Sequence, residues 1–434
     1  MTLQKRYIAD NVRLSRIRTN KFKTETVAFS LTLPLTRRAY LLGLLLSGVM
    51  RRGSESFPSM ALLNKRLDEL YASTVEINST TCAGTLSLNV SAEMIDGRFA
   101  LDGTDISGGV IEVIADILLR PLRSGNAFPA DTVASEIALV KDALLAEKNN
   151  TRSYAATRLR ELLGRANAER PTLEYLLGEI DSITPEELYD HYLRLLSSAP
   201  LNVFYVGAED TDSIAEKILR AFSQFVGHSF TPVPVRLPDK PLEFISVTED
   251  MPVSQGKLAL GLRTGAGLGN GQHTTAIVLN ELLGASPASK LFLNVRERLG
   301  LCYYCSSSYS PFSGNLTVSS GIDSSKLDVV TEEIMRQLDE IKKGNISDTE
   351  FTAARKSLEY SYVQIYDSPF SLQGFYSGRD TVGCDETVEE CKQKLLAVTA
   401  EEVCQLAGNV VWDTRFFING TQTQDGGEEE ADNE

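Results

Sequence analysis

The sequence predicts an α+β fold built as two tandem homologous domains, each a mostly antiparallel sheet covered by helices. Three observations carry this. The two halves of the 434-residue chain end alike: ITPEELYDHYLRLLSSAPLNVFYVG (Ile183 to Gly207) and VTAEEVCQLAGNVVWDTRFFING (Val398 to Gly420). In each, a threonine (Thr184, Thr399) stands three residues ahead of a glutamate (Glu187, Glu402), the pattern of a capping box, and the helix it opens leads to a short apolar strand ending in glycine. A second pair, Leu63 to Ser73 and Leu293 to Tyr304, repeats an amphipathic helix running into a strand, so the offset is roughly 215 to 230 residues. Finally, Phe230 to Glu243 carries Pro232, Pro234, Pro238 and Pro241, which hold the backbone extended and mark a linker near the midpoint. The expected organisation is a domain at 1–229, a linker at 230–243, a second domain at 244–420 and a disordered acidic tail at 421–434.

In the first half, Thr24 to Leu33 and Thr85 to Val90 alternate as half-buried strands do, while Thr132 to Leu145, Ser153 to Leu163 and Pro185 to Leu196 have helical spacing. Short connections between strands favour antiparallel pairing. The most apolar run, Ala39 to Met50, is twelve residues interrupted by Gly43, Ser47 and Gly48. That is short of the ~20 residues needed to cross a bilayer, so it predicts a buried helix and no membrane partner. Met1 to Arg16 has no apolar core of a secretory signal. With only six cysteines there is no disulfide framework, and a cytoplasmic protein is expected. The net charge of -15, with Asp425, Glu428, Glu429, Glu430, Asp432 and Glu434 crowded at the end, disfavours nucleic acid as a partner.

The chemistry-bearing residues are few. Three histidines, His191, His228 and His273, are too scattered for an i, i+4 zinc pair, and each is expected to be a surface or capping imidazole. Cys302 and Cys305 form a C-x-x-C, but on a strand residues three apart face opposite sides, so no shared metal is expected. Thr264 to His273 (TGAGLGNGQH) lacks the spacing of a phosphate-binding turn and predicts a mobile loop. No cofactor is called for.

The segment Tyr40 to Ser73, YLLGLLLSGVMRRGSESFPSMALLNKRLDELYAS, resembles the pitrilysin/insulinase family of zinc peptidases. Members carry H-x-x-E-H on this helix, ahead of a basic residue and a Gly-Thr-like turn. Anchored on Arg52-Gly53-Ser54, the resemblance puts the two zinc histidines at Leu44 and Gly48, the general base at Ser47 and the distal glutamate ligand at Asp142. Leucine and glycine have no lone pair to give, and one aspartate cannot supply the three protein ligands of a catalytic zinc. The second half is similar to the family's C-terminal domain through Ser289-Lys290-Leu291-Phe292, Arg296-Glu297-Arg298 and Gly300 to Tyr303. There the resemblance implies that Arg296 and Tyr303, seven positions apart, bind substrate and stabilise the transition state, both being able to donate to a carbonyl oxygen gaining charge. Read from the residues alone, Arg296 would pair with a neighbouring carboxylate and Tyr303 would pack as a strand aromatic.

The resemblance therefore implies a zinc-less chain that does not cleave peptides on its own. It would serve a zinc-bearing paralogue as the non-catalytic subunit of a two-chain peptidase, or pair with itself, enclosing a peptide or unfolded protein segment. Among branches of the family it is most similar to bacterial proteins named for an association with the 5-aminopentanol modification of elongation factor P. The alternative is a stand-alone scaffold or peptide-binding protein without an enzymatic partner.

Overall fold

A computed structural model of the chain describes residues 1–225, 237 and 243–421. Apart from Leu237 and Glu243, the proline-rich segment lies outside the described residues, as do His228 and the acidic tail beyond Thr421.

Two sheets organise two compact units. In the first, strands β1 (Leu3–Ala9), β2 (Val12–Arg18), β3 (Thr24–Pro34), β4 (Thr74–Cys82), β5 (Thr85–Ile95) and β6 (Leu201–Gly207) are ordered β1-β2-β6-β3-β5-β4. In the second, β7 (Ile245–Met251), β8 (Gly256–Arg263), β9 (Cys302–Ser310), β10 (Asn315–Ile322) and β11 (Val411–Gly420) are ordered β7-β11-β8-β10-β9. With β1 set aside the two orders are the same. In each, the last strand of its half enters between the first, to which it is parallel, and the second, to which it is antiparallel. All other pairings are antiparallel. The duplication expected from the two similar chain ends is thus repeated in the strand order of both sheets.

The helices, in chain order, are α1 (Arg37–Arg51), α2 (Met60–Glu69), α3 (Ile106–Leu119), α4 (Ala130–Ala146), α5 (Thr151–Leu163), α6 (Leu173–Glu179), α7 (Pro185–Ser198), α8 (Thr211–Ala221), α9 (His273–Asn280), α10 (Leu327–Lys342), α11 (Asp348–Gln364), α12 (Pro369–Thr381), α13 (Val388–Ala397) and α14 (Ala400–Gly408). None among the described residues is long and apolar enough to cross a membrane. Thr36 caps α1 by accepting from the Ala39 N–H at 3.0 Å. Leu41, Leu42, Leu45, Leu46, Val49 and Met50 bury the helix in the core of the first unit, as its apolar run predicts. Of the two expected capping boxes, Thr399 and Glu402 form the reciprocal one. At α7 only Thr184 caps, because the Glu187 carboxylate is engaged by both ends of the Arg38 guanidinium.

The compact units are not the two halves of the chain. The first comprises the described residues of Met1–Ala146, Asn167–Val235 and Tyr360–Lys392, and the second those of Glu147–Ala166, Arg236–Glu359 and Gln393–Glu434. Single boundaries at 1–229 and 244–420 do not capture this exchange. Helix α5, from the first half, packs on β8 and β11; helix α12, from the second, packs on β3 and β6, where the Phe204 and Tyr376 rings stack with centroids 6.1 Å apart. Helical spacing shows that a segment is a helix but not which sheet it covers. The exchanged helices are also held by charge. Arg13 and Lys5 both pair with Asp380 of α12. After α5, Arg165 donates to Asp413 of β11 at 2.6 Å, and Arg263 of β8 donates to the same carboxylate at 3.1 Å.

Two buried groups of the first unit titrate in opposite senses. His191 is only 1% exposed, not the surface imidazole expected, and its ring nitrogens have no hydrogen-bond partner among the described residues. Burial, reinforced by the Arg194 charge, lowers its pKa to about 4. As pH falls from the ordinary value of 6.5 toward 4, the unfolded chain takes up a proton that the folded one refuses, so stability is lost. Glu25 on β3 is pushed up to about 7 by burial and by Asp96 and Glu209, despite a hydrogen bond from the Ala208 N–H at 2.8 Å. Between pH 4.5 and 7 the unfolded chain gives up a proton that the folded one keeps, so this group costs stability as pH rises. Between these values the two slopes oppose each other. His191→Leu is therefore expected to stabilise the first unit by about 3 kcal/mol more at pH 4 than at pH 7, and Glu25→Gln to tilt the profile the other way. Urea midpoints taken across that pH range would measure both.

Candidate functional site

The sequence singles out α1. At the positions assigned to the zinc motif, Leu44 is half-buried and Ser47 is buried, with its hydroxyl donating to the Leu44 carbonyl one turn back at 2.9 Å. Gly48 faces α4. A Cβ added there would overlap the carboxylate of Glu136, a buried residue of α4. That carboxylate is not free: Arg52 donates to it through Nε at 2.6 Å, and a second guanidinium nitrogen also pairs with it. Asp142, six positions further along α4 and so about 240° round the helix, is exposed. Glu136 is thus the acid that meets the motif helix, which sequence spacing alone did not single out.

The turn after α1 has its own logic. Gly53 adopts φ 149°, and any side chain there would run into the Phe57 carbonyl. Ser54, fully buried, hydrogen-bonds the Asp116 carboxylate of α3, which also accepts from the Ser56 hydroxyl at 2.8 Å and pairs with Arg120 at 2.6 Å. Asp116 therefore secures the end of α1. The local signal for it was slight, an acid inside an otherwise apolar helix.

These residues do not fit a catalytic zinc. Of the four assigned positions, two have no ligand atom, one carries a hydroxyl spent within its own helix and one lies exposed. The acid that does face the motif is neutralised by Arg52. Within either unit taken alone, no three His, Cys, Asp or Glu side chains among the described residues bring ligand atoms close enough to share an ion. Gly48→His, which would restore one motif histidine, must displace the Glu136 carboxylate from Arg52. It is expected to cost about 1–3 kcal/mol and to bind no stoichiometric zinc, as urea unfolding and metal analysis would measure.

In the second unit, Arg296 lies on a π-helical stretch, Leu291–Arg298, whose wide turns close with the Leu299 N–H on the Asn294 carbonyl. Gly300, at φ 57°, then ends the helix in the left-handed conformation, as expected. The Arg296 side chain is 43% exposed, with its guanidinium 4.8 Å from the Phe292 ring centroid and 3.6 Å from Glu297. Tyr303 is the second residue of β9, an edge strand. Pairing with β10 runs from Gly321 opposite Tyr304 to Ile322 opposite Cys302, so Tyr303 is the extra residue of a β-bulge. It is 57% exposed and is not packed as an ordinary strand aromatic.

The bulge also corrects the C-x-x-C expectation. By skipping one residue of the alternation it turns Cys302 and Cys305 to the same side of the sheet. Thr264 to Gln272 forms a loop with one short 3-10 turn, which Asn270 ties by accepting from the Gly267 N–H at 3.0 Å and donating to the Gly265 carbonyl at 2.7 Å. His273, at the start of α9, is buried.

Comparison with known proteins gives this arrangement its context. Residues 182–358 match a family model described as the peptidase M16 inactive domain. "Probable inactive metalloprotease YmfF" of Bacillus subtilis is 26% identical over 406 residues, covering 94% of this chain and 95% of that protein. The chain is similar to inactive members of the insulinase (M16) peptidase family. It is also 30% identical over 164 residues to "Uncharacterized zinc protease YmxG" of Bacillus subtilis, covering 37% of this chain and 40% of that protein. In fold it is similar to a conserved protein from Enterococcus faecalis, with a TM-score of 0.88 at 23% identity, over 98% of this chain and 100% of that one.

Proposed function

We propose that this chain is a member of the M16 family and serves as a non-catalytic subunit of a two-chain zinc peptidase, binding an extended peptide and completing the chamber of a zinc-bearing relative. The observation that carries the reading is the contrast between the two sites. On α1 the ligand positions are filled by Leu44, Ser47 and Gly48, and the facing acid is held by Arg52. On β9 the bulge presents Tyr303 to solvent just after the turn that carries Arg296. A chain that has lost metal chemistry while keeping a guanidinium and a phenol at a sheet edge suits binding of a peptide backbone and support of charge on its carbonyl oxygen. The presence in one bacterium of both a relative named inactive and a relative named a zinc protease supports a division of labour between chains. The resemblance to proteins named for elongation factor P modification suggests that pathway as the setting.

Gel filtration and native mass measurement of the chain, alone and mixed with its zinc-bearing relative, test the partnership. A one-to-one complex is expected. A chain that binds peptide equally well alone and ignores the relative would be the scaffold of the alternative reading.

A further inference from the structure

The two cysteines of β9 are placed for more than packing. Cys302 stands opposite Ile322 and Cys305 opposite Ser320, so they face β10 positions two apart, which share a side of the sheet. Two strand steps span about 6.6 Å. That lies at the upper end of the about 4.4–6.8 Å between Cα atoms that a disulfide bridges. Ser320, opposite Cys305, is fully buried and donates its hydroxyl to the Tyr304 carbonyl at 2.8 Å, which leaves the space between the two sulfurs to the thiols themselves. Cys305 is 4% exposed, while Cys302, at the start of the edge strand, is partly open to solvent. One accessible thiol above one sheltered thiol is the arrangement of an attacking and a resolving cysteine.

We infer that Cys302 and Cys305 form a thiol–disulfide exchange site whose substrate is a low-molecular-weight disulfide. The Cys302 thiolate attacks one sulfur of the small disulfide, forming a mixed disulfide and releasing one small thiolate, which takes a proton. Cys305 then loses its proton and attacks the Cys302 sulfur, closing the Cys302–Cys305 bond and releasing the second small thiol. Two protein thiols are oxidised and one small disulfide is reduced to two thiols, so electrons and protons balance; excess small thiol reverses both steps.

The electrostatics agree with these roles. The neighbouring Cys305 thiol holds the Cys302 thiol down at about 7 against its burial, with help from Ser320 and the nearby Arg296 charge. Cys305 is pushed well up, by Cys302 and by burial, and waits as a thiol. Burial alone instead pushes Cys82 up to about 11, which makes it a poor nucleophile.

The test uses the reduced full-length chain, glutathione disulfide at pH 7, and peptide mapping by mass spectrometry. Wild type is expected to lose two of its six thiols and to yield a Cys302–Cys305 link without retained glutathione. Cys305→Ser should keep one glutathione on Cys302, and Cys302→Ser should react about tenfold more slowly. The wild-type map decides the assignment even if a variant folds poorly. A link between other cysteines, no link, or glutathione retained elsewhere would overturn the inference.

Discussion

Replacing Arg296 with alanine is expected to lower peptide cleavage by the reconstituted pair of chains by about 10²–10³-fold, the loss typical of removing one donor that meets developing oxyanion charge. The expectation rests on the proposed role. A guanidinium on the last turn of a π-helical stretch, stacked on Phe292 and only loosely paired with Glu297, keeps donors available for a peptide carbonyl. Arg296→Lys keeps the charge but loses the fork, so an intermediate rate is expected. Folding should hardly notice either change, because a half-exposed ion pair at 3.6 Å contributes little. Unchanged urea midpoints beside a collapsed rate would separate a role in the partner's reaction from a structural one. An unchanged rate would remove Arg296 from the site while leaving the partnership intact.

The largest expected loss of stability follows Asp413→Ala. Asp413 is completely buried at an irregular point of β11, where pairing with β8 skips from Trp412 to Thr414. Its two oxygens accept from Arg165 at 2.6 Å and from Arg263 at 3.1 Å, and the Thr414 hydroxyl adds a third bond at 2.6 Å. Despite the penalty of burial, these bonds and the positive charges hold the carboxyl below the usual carboxylate range. Alanine would leave two largely buried guanidinium groups without their anion, a loss expected to cost the second unit about 3–5 kcal/mol. Trp412, the single tryptophan of the chain, adjoins the substituted position, so its fluorescence during urea unfolding reads the effect in the unit concerned. Because the group is already ionised well below neutral pH, the wild-type advantage should persist from neutrality down to the carboxylate range and fade only below it.

Features written locally in the chain were legible from sequence. The Thr184 and Thr399 caps, the buried α1 and the terminating Gly300 each follow from a few adjacent residues, and the duplication follows from comparing such patches. What depends on pairing across the fold was not. The exchange of α5 and α12 rests on which sheet each helix meets. The shared face of Cys302 and Cys305 rests on how β9 registers with β10, and a skip of one residue reverses the expectation from alternation. Counting along α4 points to Asp142 and does not show that Glu136 is the acid that meets Gly48. His191 looked ordinary because a helix pattern with one polar position in its buried stripe reads much like one with that position outside.

The central claim is that this chain contributes to proteolysis without holding the metal. It is tested most directly by titrating the purified chain into a fixed amount of its zinc-bearing relative and following cleavage of an unfolded peptide. No cleavage by the chain alone is expected, and a rate that climbs with added chain to a plateau at one-to-one. A rate that stays flat throughout the titration, or cleavage by the chain alone with bound zinc, would contradict it.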